Sequence, residues 1–300
     1  MIRFIEGLVA RGGPSAAVAS LRRGSRLVLA YHNIVPDSDE SVGEQSLHLP
    51  LSRFREQLDA LQRSHDVVSL SEILVPKRGA RRPLVAITFD DAYRGCLTLG
   101  LPELERRGLP STVFVAPRLI GSAGCWWDQL SSPETGSMDP EVRDQVLTTL
   151  VGDGEEALRW ALSRGLVPRD CPPVAGIGTE EELLAAARLG GVSFGAHSWS
   201  HRNLPLLSEL ELDRELRAPM DWLRERIPGV MPWLAFPYGL HSPRVTAHAR
   251  RAGYDAVLRI FGGRMSAADD VSREIPRLNI PAAVRTDRFM LLTRGLLPLT

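Results

Sequence analysis

Lysine is nearly missing from the chain: Lys77 is the only one, and arginine carries the rest of the positive charge. A bias of that kind follows genomic base composition and assigns no function. No sign of charge dominates either, with 36 Lys and Arg against 36 Asp and Glu in 300 residues. With no basic stripe interleaved with aromatics, the balance argues against nucleic acid as a partner. The three cysteines, Cys96, Cys125 and Cys171, form no C-x-x-C pair. That disfavours a cysteine zinc site or a redox dithiol and fits a reducing compartment. No run reaches the roughly 18 apolar residues of a membrane span. Residues 1–25, with Arg3, Glu6, Arg11, Arg22 and Arg23 among short apolar groups, lack the continuous apolar core of a signal peptide. The expectation is a soluble, cytoplasmic protein. No G-x-S-x-G elbow presents a serine nucleophile.

What is present suits one large domain. Hydrophobic residues make up 44% and charged residues 24%, enough apolar surface for one substantial core. Ile2, Ile5, Leu8 and Val9 recur at helical spacing before Gly12, Gly13 and Pro14. They predict an N-terminal amphipathic extension over 1–25 that either packs on the domain or makes peripheral membrane contact. Apolar runs at 26–32 (RLVLAYH), 67–70, 84–89 (LVAITF), 111–115 (STVFV), 192–196, 233–236, 256–258 and 277–280 predict strands. Between them, helical periodicity covers 51–61, 101–107, 180–189, 207–225 and 243–252. Strands alternating with helices predict a parallel sheet closed, or nearly closed, into a barrel over 26–280. The stretch 121–178, rich in Gly, Ser, Pro and acids, breaks the rhythm. It is expected as an insertion carrying helices at 140–150 and 155–164, and 281–300 as a C-terminal tail.

Three strand ends carry the chemistry. Asp90 and Asp91 follow the 84–89 strand, at the end where α/β barrels keep their active sites. Alone, an aspartate pair is as easily a helix cap or solvated charge. The 192–196 strand runs into His197-Ser198-Trp199-Ser200-His201. If the chain turns helical there, histidines four apart share a face and can share one metal. A carboxylate from one strand end and two imidazoles from another make a facial Asp-His-His set with open coordination positions. Phe236-Pro237-Tyr238-Gly239 follows a third strand, where Pro and Gly fix a sharp turn and can aim a backbone N–H into the site.

These residues resemble the polysaccharide deacetylases of the NodB homology domain, also called carbohydrate esterase family 4. Thr88-Phe89-Asp90-Asp91 is similar to that family's first motif, His197-Ser198-Trp199-Ser200-His201 to its second, and Phe236-Pro237-Tyr238-Gly239 to its third. The resemblance runs from about residue 26 to 280. It implies a deformed (β/α) barrel, a divalent metal on Asp91, His197 and His201, and Asp90 as catalytic base. The metal is usually zinc, with Co2+, Ni2+ or Mn2+ as alternatives. The family's third motif usually begins with an arginine where Ala235 stands, and Arg277 is the candidate substitute. The family's general-acid histidine normally lies near the C-terminus, yet no histidine follows His248. In the branch resembling poly-N-acetylglucosamine deacetylases it moves to an N-terminal Tyr-His strand end, which Tyr31-His32 matches. A buried structural histidine is the alternative reading of His32. His48, His65, His241 and His248 have no such support.

The implied reaction is hydrolysis of an N-acetyl group on an N-acetylhexosamine unit of a saccharide or glycoconjugate. Tyr238 would supply a backbone N–H to the oxyanion, and Pro237 would line the substrate site. Trp126 and Trp127 either stack on sugar faces or anchor the insertion to the barrel. The rivals are an amidohydrolase of a small amide or cyclic imide on the same barrel, and a non-catalytic glycan-binding relative.

Overall fold

The computed structural model describes residues 25–38, 43–75, 82–260, 263–265 and 274–297. The predicted amphipathic extension therefore lies, apart from Ser25, outside the described residues.

Runs that are apolar at nearly every position suit strands covered on both faces. They form β1 (Arg26–Tyr31), β2 (Leu84–Phe89), β3 (Ser111–Val115), β4 (Val192–Ala196), β5 (Trp233–Ala235), β6 (Ala256–Ile260) and β7 (Glu274–Asn279). Among the described residues these seven pair in parallel, each with the next, and β1 closes the ring. It pairs with β2 from Arg26↔Leu84 to Tyr31↔Phe89, and with β7 at Leu29↔Leu278 and Ala30↔Asn279. Side chains alternate across each strand. Val28, Ala86, Phe114, Ala235, Leu258 and Ile275 pack together on the inner face. Leu27, Leu29, Val85, Ile87 and Phe89 belong to the larger core beneath the helices.

Most predicted elements form, with shifted ends. The strand expected over 67–70 shrinks to Asp66–Val67, and Leu70 instead opens the helix Leu70–Ile73. Ser69 and Glu72 make a reciprocal capping box there, and its paired amide bonds override the short apolar run. The helix expected at 101 follows a widened turn at Cys96–Gly100, just before Pro102, which has no N–H to donate back. The expected tail carries the helix Thr286–Thr293, whose Phe289 is fully buried and which packs on the helix Leu51–Ser64. The stretch 121–178 does interrupt the alternation, between β3 and β4. It holds the helices Trp126–Gln129, Pro140–Thr148 and Gly154–Ser163. Among the described residues no helix is long and apolar enough to cross a membrane.

One histidine ties the C-terminal helix to the barrel. His65 is buried after the Leu51–Ser64 helix, with Nε2 3.1 Å from the Thr293 carbonyl and Nδ1 2.8 Å from Ser64 Oγ. Burial lowers its pKa from 6.5 to about 4, partly opposed by the Thr293 carbonyl. The unfolded chain then takes up this proton first as pH falls. The stability contributed by neutral His65 is complete above 6.5 and is lost between about 6.5 and about 4. Urea unfolding across that window should show His65→Gln losing less stability with acid than the wild type. Parallel pH profiles would contradict it.

Candidate metal centre and active site

The inner-face alternation selects the residues at the mouth of the barrel. One step beyond inward Ala30, Thr88, Gly195, Leu258 and Arg277 come His32, Asp90, His197, Ile260 and Asn279. All five line a cavity of about 400 Å³ at the C-terminal ends of the strands. Asp90 keeps the strand geometry, its N–H bonded to the Tyr31 carbonyl at 2.9 Å. Asp91 would face the other way, but it and Ala92 adopt φ of 69° and 59°. That left-handed pair costs roughly 1–2 kcal/mol per residue, and it brings Asp91 to the same cavity.

The histidine loop is not the helical turn that the four-residue spacing suggested. Residues 197–201 are irregular, and Ser198 and His201 both have φ of 60°. Buried Glu215 holds the loop in this form. Its Oε2 accepts the Trp199 and Ser200 amides at 3.0 and 2.9 Å, and its Oε1 accepts the Ser200 hydroxyl. The His201 amide donates to Ser198 Oγ at 3.0 Å. The two rings nevertheless converge.

His197 Nε2 and His201 Nε2 lie 3.1 Å apart, and Asp91 Oδ1 is 3.5 and 3.2 Å from them. Donors bound tetrahedrally at about 2.0–2.1 Å would be spaced by about 3.3 Å. The ring of His197 is oriented for this, because its Nδ1 donates to the Ala235 carbonyl at 2.8 Å and leaves the Nε2 lone pair free. Asp91 Oδ1 is buried with no hydrogen-bond donor. A cation fits this donor set. Burial pushes the Asp91 pKa up, but His201 and His197 outweigh it and hold the carboxyl well below the usual range. Burial lowers His197 to about 4, against the pull of Asp90, so its imidazole is neutral at neutral pH.

Asp90 stands apart from those three donors. Its carboxylate accepts two bonds from buried Arg277, at 2.6 and 2.8 Å, and lies 4.0 Å from His197 Nε2. Arg277 also reaches Thr88 Oγ1 at 3.2 Å and sits over the Phe114 ring. Burial alone would raise the Asp90 pKa, and the Arg277 guanidinium, together with His197 and His32, more than reverses that. Ala235 offers no such group, and the arginine that reaches Asp90 comes from β7. His32 is half-buried in the same cavity. Burial lowers its pKa, while Asp90 and Asp91 pull it upward.

Pro237 is buried, and Tyr238 after it has φ of 57°. The Tyr238 ring packs edge-on against His201 at 4.4 Å, and its hydroxyl accepts the Trp126 indole N–H at 3.0 Å. Trp127 covers His201 from another side at 4.8 Å. Trp126 and Trp127 are only 3% and 6% exposed, so their faces are spent on the protein. Of the two sequence readings, these contacts support anchoring of the insertion and leave little ring surface for a sugar.

Behind Trp127 lies a polar chain that sequence analysis missed. The indole N–H donates to Tyr93 Oη at 2.7 Å, and that hydroxyl donates to Asp128 Oδ2 at 2.7 Å. Asp128 Oδ1 takes His48 Nε2 at 2.9 Å and the Glu44 amide at 3.0 Å. Asn33 Nδ2 bridges His48 Nδ1 and the Val174 carbonyl at 3.0 and 2.9 Å. The only sequence signal was the acid directly after the paired tryptophans. Nothing marked His48 or Asn33 as its partners.

The chain matches the family described as polysaccharide deacetylase over residues 77–257. A search of curated proteins gives no match. Among solved structures it is similar to the Streptococcus pyogenes deacetylase PplD in complex with acetate. The identity there is 17% and the TM-score 0.59, over 90% of this chain and 97% of that one. IcaB from Ammonifex degensii gives 17% and 0.61, over 90% and 95%. The de-N-acetylase from Aggregatibacter actinomycetemcomitans gives 15% and 0.57, over 87% and 96%. At these identities the structures show a shared fold. His32 and Arg277 fall outside the family match, and their part in the site rests on the barrel geometry.

The Arg277–Asp90 pair makes a stability prediction. Removing one partner of a buried ion pair leaves an uncompensated charge and costs roughly 3–5 kcal/mol. Arg277→Ala should destabilise by about that much in urea unfolding, and adding Asp90→Ala should recover a large part of the loss. An additive double mutant would show that the two side chains are not coupled.

Proposed function

Because the chain belongs to the polysaccharide deacetylase family, and so is a carbohydrate-deacetylating hydrolase, we propose that it is metal-dependent and removes N-acetyl groups from N-acetylhexosamine units. The observation that carries this is the pairing, in one cavity, of the three convergent donors Asp91, His197 and His201 with an arginine-clamped Asp90. A divalent cation held there, Zn2+ being the best match to two imidazoles and a carboxylate, would polarise the acyl oxygen and acidify water.

The chain's own residues do the rest. Asp90, kept ionised by Arg277, accepts the proton of the attacking water as its oxygen approaches the acetyl carbon. Arg277 fixes both carboxylate oxygens, so the base cannot rotate away. The oxyanion that develops needs a donor, and the Tyr238 backbone N–H is assigned that work, worth roughly 3 kcal/mol. Collapse of the tetrahedral intermediate breaks the C–N bond, and the departing amine needs a proton. His32, in the same cavity, is assigned as the acid that gives it. An ester would leave as an alkoxide with less need of such a group, which favours the amide. The similar Aggregatibacter protein is a de-N-acetylase, in keeping with that choice.

Acetate release from N-acetylated saccharides tests the proposal. The wild type should release acetate, lose the activity on exhaustive chelation and regain it with Zn2+. Asp90→Asn should be slower by about 10²–10⁴-fold with its metal content unchanged. Release that persists after complete metal removal would sink the metal-dependent reading. Release from O-acetylated sugars alone would sink the amide.

A further inference from the structure

His32, Asp90, Asp91, His197 and His201 at the barrel mouth now have work assigned, and the polar residue there that lies within a strand is Asn279. It follows Arg277 by two residues on β7, so it shares the inward face and lies one repeat nearer the opening. Its Cα pairs with Ala30, two residues before His32, which makes it a neighbour of the proposed acid across the β7–β1 seam. It lines the same cavity as Asp90 and His197. Its Oδ1 is buried and has no hydrogen-bond partner among the described residues.

An unpaired carboxamide oxygen carries a desolvation penalty of about 1–3 kcal/mol unless something supplies a donor. The terminal torsion of asparagine is soft, so the oxygen can turn toward an incoming group at little cost. We infer that Asn279 contacts substrate and sets specificity, its Oδ1 accepting the N–H of the scissile acetamido group. This rests on the N-deacetylase reading and deepens it. An amide brings the donor that the site lacks. An ester brings an oxygen lone pair to the same place, leaving Oδ1 unpaired and facing another acceptor. Sites built to bond a substrate N–H discriminate strongly against the analogue without it.

The test compares an oligomer of 2-acetamido-2-deoxyhexose with its 2-O-acetyl counterpart, using wild type, Asn279→Leu and Asn279→Ala. Thermal melting and metal content are recorded for each variant. The expected result is a fall of roughly 10- to 100-fold in kcat/KM on the amide, with the ester rate unchanged or higher. The amide-over-ester ratio should therefore collapse in whichever variant folds. An unchanged ratio in a folded, metal-loaded variant overturns the inference, whether both rates fall together or neither moves. A wild type inactive on the amide would instead overturn the underlying N-deacetylase reading.

Discussion

A carboxylate held inside a closed barrel is tolerable only if a counter-charge is held there with it, and the Arg277–Asp90 pair meets that condition. The two residues come from strands on either side of β1. Ala30, paired with Thr88 on one side and Asn279 on the other, is the inward residue between them. A small side chain there leaves room for the guanidinium to reach across. The ion pair thus links the first and last parts of the ring from within, where the backbone ladder links them from without. Asp90 is fixed, His197 lies 4.0 Å from it, and the remaining donors are arranged from that point.

The site also stores backbone strain. Six non-glycine residues among those described have positive φ, and Asp91, Ala92, Ser198, His201 and Tyr238 are five of them. Each costs of order 1–3 kcal/mol and persists only where its surroundings over-determine it. Here Glu215 holds the histidine loop, and Trp126 holds the Tyr238 hydroxyl. Regular strand alternation could deliver Asp90 and His197 but not Asp91 and His201. The strained residues deliver those, turning a barrel rim into a convergent donor set.

This division marks how much was legible in the sequence. Residues that follow the alternation, and the motif strings at strand ends, could be assigned from local pattern: the barrel, Asp90 with Asp91, and His197 with His201. Arg277 could be assigned only because its equivalent was absent from Ala235. The route by which His201 arrives could not, since a four-residue spacing suits a helix and the chain takes a left-handed loop instead. The burial of Trp126 and Trp127 was undetermined for a different reason. Their partners Tyr238, Tyr93 and, beyond it, His48 are brought together by the fold across long sequence separations, and no local period records that. The short strand at 67 and the docked helix in the expected tail were decided by a capping box and by Phe289, both weaker signals than an apolar run.

The stretch between β3 and β4 began as an interruption of a regular pattern, and its contacts give it two unequal halves. The part around Trp126, Trp127 and Asp128 packs on His201 and carries the buried polar chain, so it has little freedom to vary without disturbing His201. The part around Ser137, Met138 and Arg143 borders the same cavity, with the Met138 amide bonded to the Glu44 carboxylate and the Gly136 carbonyl to the Gln45 amide, both at 2.8 Å. A lineage that needed to accept a different saccharide could remodel that outer strip and leave the chemistry intact. The insertion is in this sense both a keystone and a replaceable threshold.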